Sequence, residues 1–295
     1  MMNVNEAFEK FRGNLEITPT ESARASNRQQ RMREQLDDST LDVADTFLTG
    51  AYRRATKTKP LADVDIMVVL NDRGYLGKHP HEVLEAVRAI LAPIYGKDRV
   101  CCDRRAVRVD FGVKLVDDLT GDVVSFDVVP AFIEDDHYLI PDDVIAEWIS
   151  TNPKIHEDLA IRANKDYSEQ WKPLVKMVKT WNREHGHPIE ASFLIEVMAL
   201  ELIKGDWVGP YPRELRQFFA TAVNAITERW PDPAHLGPDV SDMFVGQPEK
   251  LQAAQTALRA AEAACTEALR LERAGRTGDA LAKWQLLFGP LFTKS

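Results

Sequence analysis

The chain has 295 residues, room for one large core or two smaller ones, and its 44% hydrophobic and 28% charged residues are the balance of an ordinary water-soluble globular protein. A net charge of -9 argues against a general nucleic-acid binder, whose affinity rests on neutralising phosphates over a broad surface. No apolar run approaches the ~20 residues that cross a bilayer, the N-terminus with Asn3, Glu6, Glu9 and Lys10 lacks the apolar stretch of a signal peptide, and Cys101, Cys102 and Cys265 are too few for a disulfide framework, so the cytoplasm is the expected compartment.

Residues 20 to 48 predict a helix, with Thr20 or Ser22 as start signals, an apolar face of Met32, Leu36, Leu41, Val43, Phe47 and Leu48, and Gly50 as its stop. A basic segment of Arg53, Arg54, Lys57 and Lys59 follows; against an acidic whole it suits a small anionic ligand. Then Asp63-Val-Asp65 enters an apolar strand at 64 to 70, anchored by Val64, Ile66, Val68 and Leu70. Side chains two apart in a strand point the same way, so Asp63 and Asp65 converge on one hard cation. Glycine turn, basic segment and paired carboxylates together make the layout of a site that grips a nucleoside triphosphate and metal ions.

Asn71-Asp72-Arg73-Gly74 reads as a turn, and residues 80 to 95 as an amphipathic helix through Val83, Leu84, Val87, Ile90 and Leu91. His79 and His81 with Cys101 and Cys102 match no standard zinc spacing, so buried or surface thiols are the expectation. Strands come next at about 106 to 116 and 122 to 130. In the second, alternation sets Val124, Phe126 and Val128 on one face and Ser125, Asp127 and Val129 on the other. A carboxylate inside an apolar strand is costly unless paired or metal-bound, which makes Asp127 the third ligand beside Asp63 and Asp65. Asp110 is the rival, ranked second because Arg108, two residues away on the same face, offers it a partner. For Arg99, Arg104, Arg105, Arg108 and Lys114 two readings stay open, an anionic ligand or a solvated face balanced by neighbouring acids.

From about 140 the composition turns helical. Pro141-Asp142-Asp143 opens one helix and Asn152-Pro-Lys-Ile-His another. In the helix at 171 to 185, Leu174, Val178 and Trp181 face inward, while Lys172, Lys176, Lys179 and Arg183 share a stripe that is solvated unless it lines a cleft opposite phosphates. The apolar helix at 190 to 204 has Ser192 near its start, as an anion contact or a plain cap. A Pro- and Gly-rich connector spans 205 to 248, and Ala- and Leu-rich helices at 249 to 274 and 277 to 287 close the chain.

Three carboxylates on adjacent strands, a glycine turn and helical lysines fit a two-metal nucleotidyl transfer, with cations about 3.5–4 Å apart that activate a hydroxyl and stabilise the departing pyrophosphate. All-oxygen ligands point to two magnesium ions, with manganese as the alternative. No Ser-His-Asp or Cys-His set and no HExxH spacing stands out.

Gly50-Ala-Tyr-Arg-Arg-Ala-Thr56 followed by Asp63-Val-Asp65 resembles the Gly-Ser…Asp-x-Asp signature of polymerase-β-like nucleotidyltransferases. Phe126-Asp-Val-Val-Pro-Ala-Phe132 is similar to the third-aspartate strand of the bacterial cGAS/DncV-like nucleotidyltransferases, and Tyr138-Leu-Ile-Pro, Trp148-Ile-Ser-Thr-Asn-Pro-Lys-Ile-His156, Leu174–Asn182, Ile189–Glu196 and Ala280-Leu-Ala-Lys-Trp284 through Leu286–Phe292 resemble the more C-terminal segments of that group. The resemblance spans nearly the whole chain. It implies an α+β fold of two lobes: a mixed-sheet core over 1–140 and an oligoadenylate-synthase-like helical lobe over 141–295, with the helix at 20 to 48 bridging both and the active site between them.

The resemblance further implies an enzyme that makes cyclic di- or trinucleotide second messengers from nucleoside triphosphates in anti-phage defence. Asp63 and Asp65 would bind both metal ions; Asp127 would bind one and draw the proton from the acceptor hydroxyl. Gly50 and the Ala51 backbone would hold the donor triphosphate, with Arg53, Thr56, Lys176, Lys179 and Ser192 as further nucleotide contacts. Ala51 stands where the signature has serine; the lost hydroxyl contact is worth ~1 kcal/mol, and Thr49 or Thr56 could absorb it. The implied partners are nucleoside triphosphates, ATP or GTP foremost with a pyrimidine as an option, and a regulatory protein, with an effector acting through the product; no stable nucleic-acid or membrane partner is implied. The alternatives are an RNA-tailing enzyme of the CCA-adding or poly(A) type, for which an acidic chain offers a poor RNA surface, and a nucleotide-binding pseudoenzyme.

Overall fold

The computed structural model describes residues 2–61, 63–112 and 124–294. The chain divides into a sheet unit, Ile17–Glu157 with Ala234–Gly237, and a helical unit made of Asp158–Pro233, the segment up to Glu16 and the segment from Pro238. The expected boundary near 140 therefore falls later, inside a helix, and the first residues of the chain go with the helical unit.

In the helical unit, α1 (Val4–Leu15) is started by a capping box in which Asn3 accepts from the Glu6 N–H and the Glu6 side chain accepts from the Asn3 N–H. Its Phe8 and Phe11 are fully buried against Trp284, Phe288 and Phe292.

The sheet unit continues with α2 (Pro19–Asp37), β1 (Val43–Leu48), a single helical turn α3 (Gly50–Arg53), β2 (Val64–Leu70), α4 (Pro80–Tyr95), β3 (Val100–Cys102), β4 (Val107–Asp110), β5 (Ser125–Glu134), β6 (His137–Asp142) and β7 (Glu147–Thr151). The strand order is β1-β2-β5-β4-β3, with β6 and β7 continuing from the far half of β5. β2 and β5 run parallel and the other pairs antiparallel, so the sheet is mixed. Strand alternation divides its faces. Val64, Ile66, Val68, Phe126 and Val128 pack with Ala25, Met32, Leu36, Val83, Leu84 and Val87 of α2 and α4, while Met67, Val69 and Ala131 pack with Ile140 and Ile149 on the other face. Asp65 and Asp127 belong to that second face.

The helical unit resumes with α5 (Pro153–Asp166), which crosses the division at Glu157, and with α6 (Trp171–Glu184), α7 (Ser192–Leu202), α8 (Tyr211–Ala225), α9 (Pro248–Arg273) and α10 (Thr277–Phe288). Among the described residues no helix is long and apolar enough to cross a membrane.

Several elements differ from expectation. Residues 43 to 48 form a strand rather than the end of a helix: α2 stops at Asp37, the Leu41 N–H turns onto the Ser39 hydroxyl at 3.1 Å, and the period changes from helical to alternating. Gly50 opens a helical turn instead of ending a helix, and α2 is counted with the sheet unit. Pro141-Asp142-Asp143 ends β6 rather than opening a helix; Asp142 is fully buried between Arg104 and Arg105, at 2.9 and 2.8 Å, and accepts the turn N–H groups of Val144 and Ile145. The connector contains α8, whose Pro210 and Pro212 occupy the N-cap and first turn, where a missing N–H costs nothing. Lys114 and the end of the strand expected at 106 to 116 lie outside the described residues, as does the start of the one expected at 122.

Candidate functional site

β2 and β5 lie side by side in a parallel register that pairs Asp65 with Asp127. Parallel neighbours are about 4.8 Å apart, so the two carboxylates stand next to each other on one face. Asp63 joins them by a route the strand argument misses. β2 begins at Val64, and Asp63 precedes it in a left-handed conformation with φ 52°, so alternation does not aim its side chain. Ser125 and Arg108 do. The buried Ser125 hydroxyl accepts from the Asp63 N–H and donates to Asp63 Oδ1, both at 3.2 Å, while Arg108 Nη2 reaches the same Oδ1 at 2.8 Å. Lys57 Nζ donates to the Asp63 carbonyl at 3.2 Å.

The charge of this cluster is unbalanced. Burial, and the nearby Asp65 and Asp63 carboxylates, push Asp127 up to about 7 against the smaller opposing pull of Arg108 and Lys57. Three carboxylates crowded so that one resists ionisation are a site that a hard cation would complete. The carboxylate oxygens fit magnesium or manganese by ligand type. Among the described residues no three such side chains are already closed around a cation-sized point; Asp63 is turned to Arg108 and Ser125.

The glycine turn fits against Asp65. Gly50 has φ 61°, and a Cβ built on it would lie 1.7 Å from Asp65 Oδ2, so a side chain at position 50 is excluded by the carboxylate itself. The Thr49 N–H donates to the Asp65 carbonyl at 2.9 Å, fastening the turn to β2. The first N–H groups of a helical turn lack intrahelical acceptors, so Gly50 and Ala51 bring backbone donors beside the carboxylates. A cavity of about 740 Å³ in the sheet unit adjoins the turn, lined by Thr49, Tyr52, Arg53, Phe47, Tyr138 and Lys154 among others.

The remaining candidates separate. Arg53 lines that cavity but pairs with Glu157 at 3.0 Å. Thr56 is fully buried and its hydroxyl donates to the Ala51 carbonyl at 3.4 Å, so it shapes the turn instead of facing a ligand. Lys59 pairs with Glu21. In the helical unit, Lys179 is buried in an ion pair with Glu196, and Lys176 reaches Glu16 at 2.7 Å. The lysine stripe is thus no solvated face. Ser192 is the first residue of α7, which has Ala191 at its N-cap and no side-chain cap bond, so the plain-cap reading fails.

Asp110 is not part of the cluster: it is exposed and accepts from the Gly112 N–H at 2.7 Å, while Arg108, its expected partner, goes to Asp63. The other basic residues also divide, with Arg104 and Arg105 on Asp142 and Arg99 against Gly112. Zinc ligation is disfavoured: Cys101 is exposed, and the Cys102 thiol, donating to Glu85 at 3.2 Å, is pushed up to about 12 by burial and that carboxylate. Sequence reasoning misses Ser125 and Arg108 as partners of Asp63. Ser125 carries a signal, being a hydroxyl two residues from Asp127 on the same strand face.

Residues 2–164 match the model of the Second Messenger Oligonucleotide or Dinucleotide Synthetase domain, SMODS. The chain is 32% identical over 202 residues to the cyclic AMP-AMP-AMP synthase of an Acinetobacter strain, a match that covers 65% of this chain and 54%, about half, of that relative's length. Among solved structures it resembles the Bradyrhizobium diazoefficiens CD-NTase CdnG in complex with GTP, with a TM-score of 0.74 at 14% identity over 98% of this chain and 96% of that one. It also resembles CdnC of Escherichia coli MS115-1 in its complex with HORMA-deltaN, with a TM-score of 0.70 at 18% identity and 98% of both chains covered. It shares the fold of these CD-NTase structures, and with more than half of its length matched to that domain the chain belongs to the SMODS family.

Proposed function

We propose that this protein joins nucleoside triphosphates into a cyclic di- or trinucleotide, releasing pyrophosphate, with divalent metal ions held by Asp63, Asp65 and Asp127. The observation that carries the proposal is the in-register pair of Asp65 and Asp127, with Asp63 beside them and the Gly50 turn packed on the Asp65 carboxylate. Metal ions bound there would supply Lewis-acid activation of the attacking hydroxyl and charge neutralisation on the leaving pyrophosphate. The chain's own residues do the rest. Gly50 and Ala51 present backbone N–H groups to the donor phosphates. Asp127, whose ionised form the bound metal would favour, accepts the proton of the acceptor hydroxyl. In the helical unit, Lys179 and Lys176 serve first to neutralise Glu196 and Glu16.

The name of the Acinetobacter relative favours ATP as one substrate, and the GTP bound to CdnG keeps GTP as the other. The HORMA complex of CdnC supports a regulatory protein partner. Magnesium is the ion of this proposal, anti-phage signalling through a product-sensing effector is the role, and the cytoplasm is the place. To test it, the purified protein is incubated with all four ribonucleoside triphosphates and magnesium, treated with phosphatase, and the resistant products weighed by mass spectrometry. A cyclic di- or trinucleotide, absent with Asp63→Ala/Asp65→Ala, is the expected result. Label transferred to added RNA, with no resistant product, would replace cyclisation by RNA tailing.

A further inference from the structure

The guanidinium of Arg108 engages one of the two carboxylate oxygens of Asp63: Nη2 stands 2.8 Å from Asp63 Oδ1 and 3.4 Å from the Ser125 hydroxyl, which itself donates to that same Oδ1. Arg108 is held there by β4, whose register sets it directly opposite Asp127 on β5. It is also free to leave. Its side chain is 44% exposed, and the second nearby cation, Lys57, donates to the backbone carbonyl of Asp63 and not to its carboxylate.

Building on the metal centre proposed above, we infer that Arg108 is an internal counter-cation that divalent metal must displace from Asp63, and that this displacement couples metal binding to nucleotide binding. A dication held by Asp63 would stand close to the guanidinium paired with the same carboxylate, and like charges that near repel one another. Metal alone therefore binds at the cost of breaking the Arg108–Asp63 pair and leaving a guanidinium beside a dication. A triphosphate removes that cost, because its oxygens offer the guanidinium a bidentate anion in place of the carboxylate. Each ligand thus makes the other's binding easier, and linkage makes the effect reciprocal. The device would keep Asp63 paired while no nucleotide is bound and give it to the metal when substrate arrives. On this account Arg108 acts on the metal through Asp63 and on the triphosphate by direct contact.

A rival account is that Arg108, with Ser125, clamps Asp63 in its left-handed conformation and so prepares it for metal. The two accounts predict opposite signs. The experiment strips full-length protein with EDTA and titrates Mn2+, following free ion by electron paramagnetic resonance, for wild type, Arg108→Gln, Arg108→Lys and Asp65→Asn, with circular dichroism confirming that each is folded. Displacement predicts that Arg108→Gln binds Mn2+ alone about tenfold more tightly than wild type, as expected for removing one adjacent positive charge, and that Arg108→Lys stays within about twofold of wild type because the charge remains. It also predicts that saturating Mn2+ tightens binding of non-reactive α,β-methylene analogues of ATP and GTP by a smaller factor in Arg108→Gln than in wild type. Unchanged or weaker Mn2+ binding by Arg108→Gln overturns the inference and favours the clamp. If Asp65→Asn binds Mn2+ as well as wild type does, the proposed metal centre itself falls and takes this inference with it, so the two failures are separable.

Discussion

Replacing Asp127 by asparagine should stabilise the metal-free protein while abolishing product formation. Asp127 sits beside Asp65 in register, and burial together with Asp65 and Asp63 raises it from 3.8 to about 7. Every tenfold change in proton affinity corresponds to about 1.4 kcal/mol, so holding this carboxylate ionised in the folded state costs at most ~4 kcal/mol, and ~2–3 kcal/mol after allowance for its partial exposure and for relaxation of the neighbouring side chains. The folded-state value lies above the unfolded one. The penalty is therefore absent below pH ~4, grows between pH 4 and 7, and is complete above pH 7. Asparagine removes it. At pH 8 in EDTA, Asp127→Asn should melt higher by roughly 5–10 °C, at about 3 °C per kcal/mol for a chain of this size; at pH 5 the gain should shrink to about a third. Magnesium should raise the melting temperature of wild type more than that of the variant, narrowing or reversing the difference. Differential scanning calorimetry at the two pH values, with and without magnesium, reads all of this. An Asp127→Asn protein no more stable than wild type at pH 8 in EDTA, or equally stabilised at both pH values, would mean that these carboxylates do not repel one another, and the metal-centre reading would lose its main electrostatic support.

Gly50→Ala should remove activity and destabilise the fold by about 2 kcal/mol or more, because its Cβ would meet Asp65 Oδ2 at 1.7 Å from a backbone already at φ 61°; product assays and a melting curve check both, and a fully active variant would refute the packing of the turn. Lys179→Met should cost about 3–5 kcal/mol by leaving the buried Glu196 without this cation, and Lys179→Met/Glu196→Gln should recover much of that. If the double variant is stable but inactive, Lys179 also serves the reaction; if stability and product return together, its role is structural. Ala51→Ser should lower the KM for the donor triphosphate about fivefold, the worth of one added hydrogen bond of ~1 kcal/mol, with metal affinity unchanged in a Mn2+ titration. An unaltered KM would place the donor phosphates away from this turn.

Where a segment carries one clean period, the sequence predicts the structure closely. β2 occupies the expected residues because it is a short, β-branched apolar run bounded by turn residues, and α4, α6, α9 and α10 form where helical spacing runs uninterrupted. The α+β class with a mixed sheet and a helical part holds. The failures have local causes. The apolar series from Met32 to Phe47 looks continuous until the period changes after the Asp38-Ser39-Thr40 turn, and β1 is the result. α8 is hidden by the prolines that start it. Pro141-Asp142-Asp143 imitates a helix start because the partners that bury Asp142, Arg104 and Arg105, are distant in sequence.

The site divides along the same line between local and non-local information. Asp65 and Asp127 are legible because each is a carboxylate set into an apolar strand, an arrangement too costly to be idle. Asp63 joins the cluster by a geometry other than the expected one: it lies outside the strand, and the groups that fix it, Ser125 and Arg108, come from β5 and β4. Nothing in a linear pattern says that β4 pairs with β5 in the register that sets Arg108 opposite Asp127. That register changes the meaning of Arg108, from a neighbour that quiets Asp110 to a cation lodged among the proposed metal-binding carboxylates. Sequence reasoning finds the charge that must be balanced. Which group pairs with Asp63 is decided by strand order, and on the inference drawn above it is this second fact that would make the metal and substrate affinities of the proposed site depend on each other.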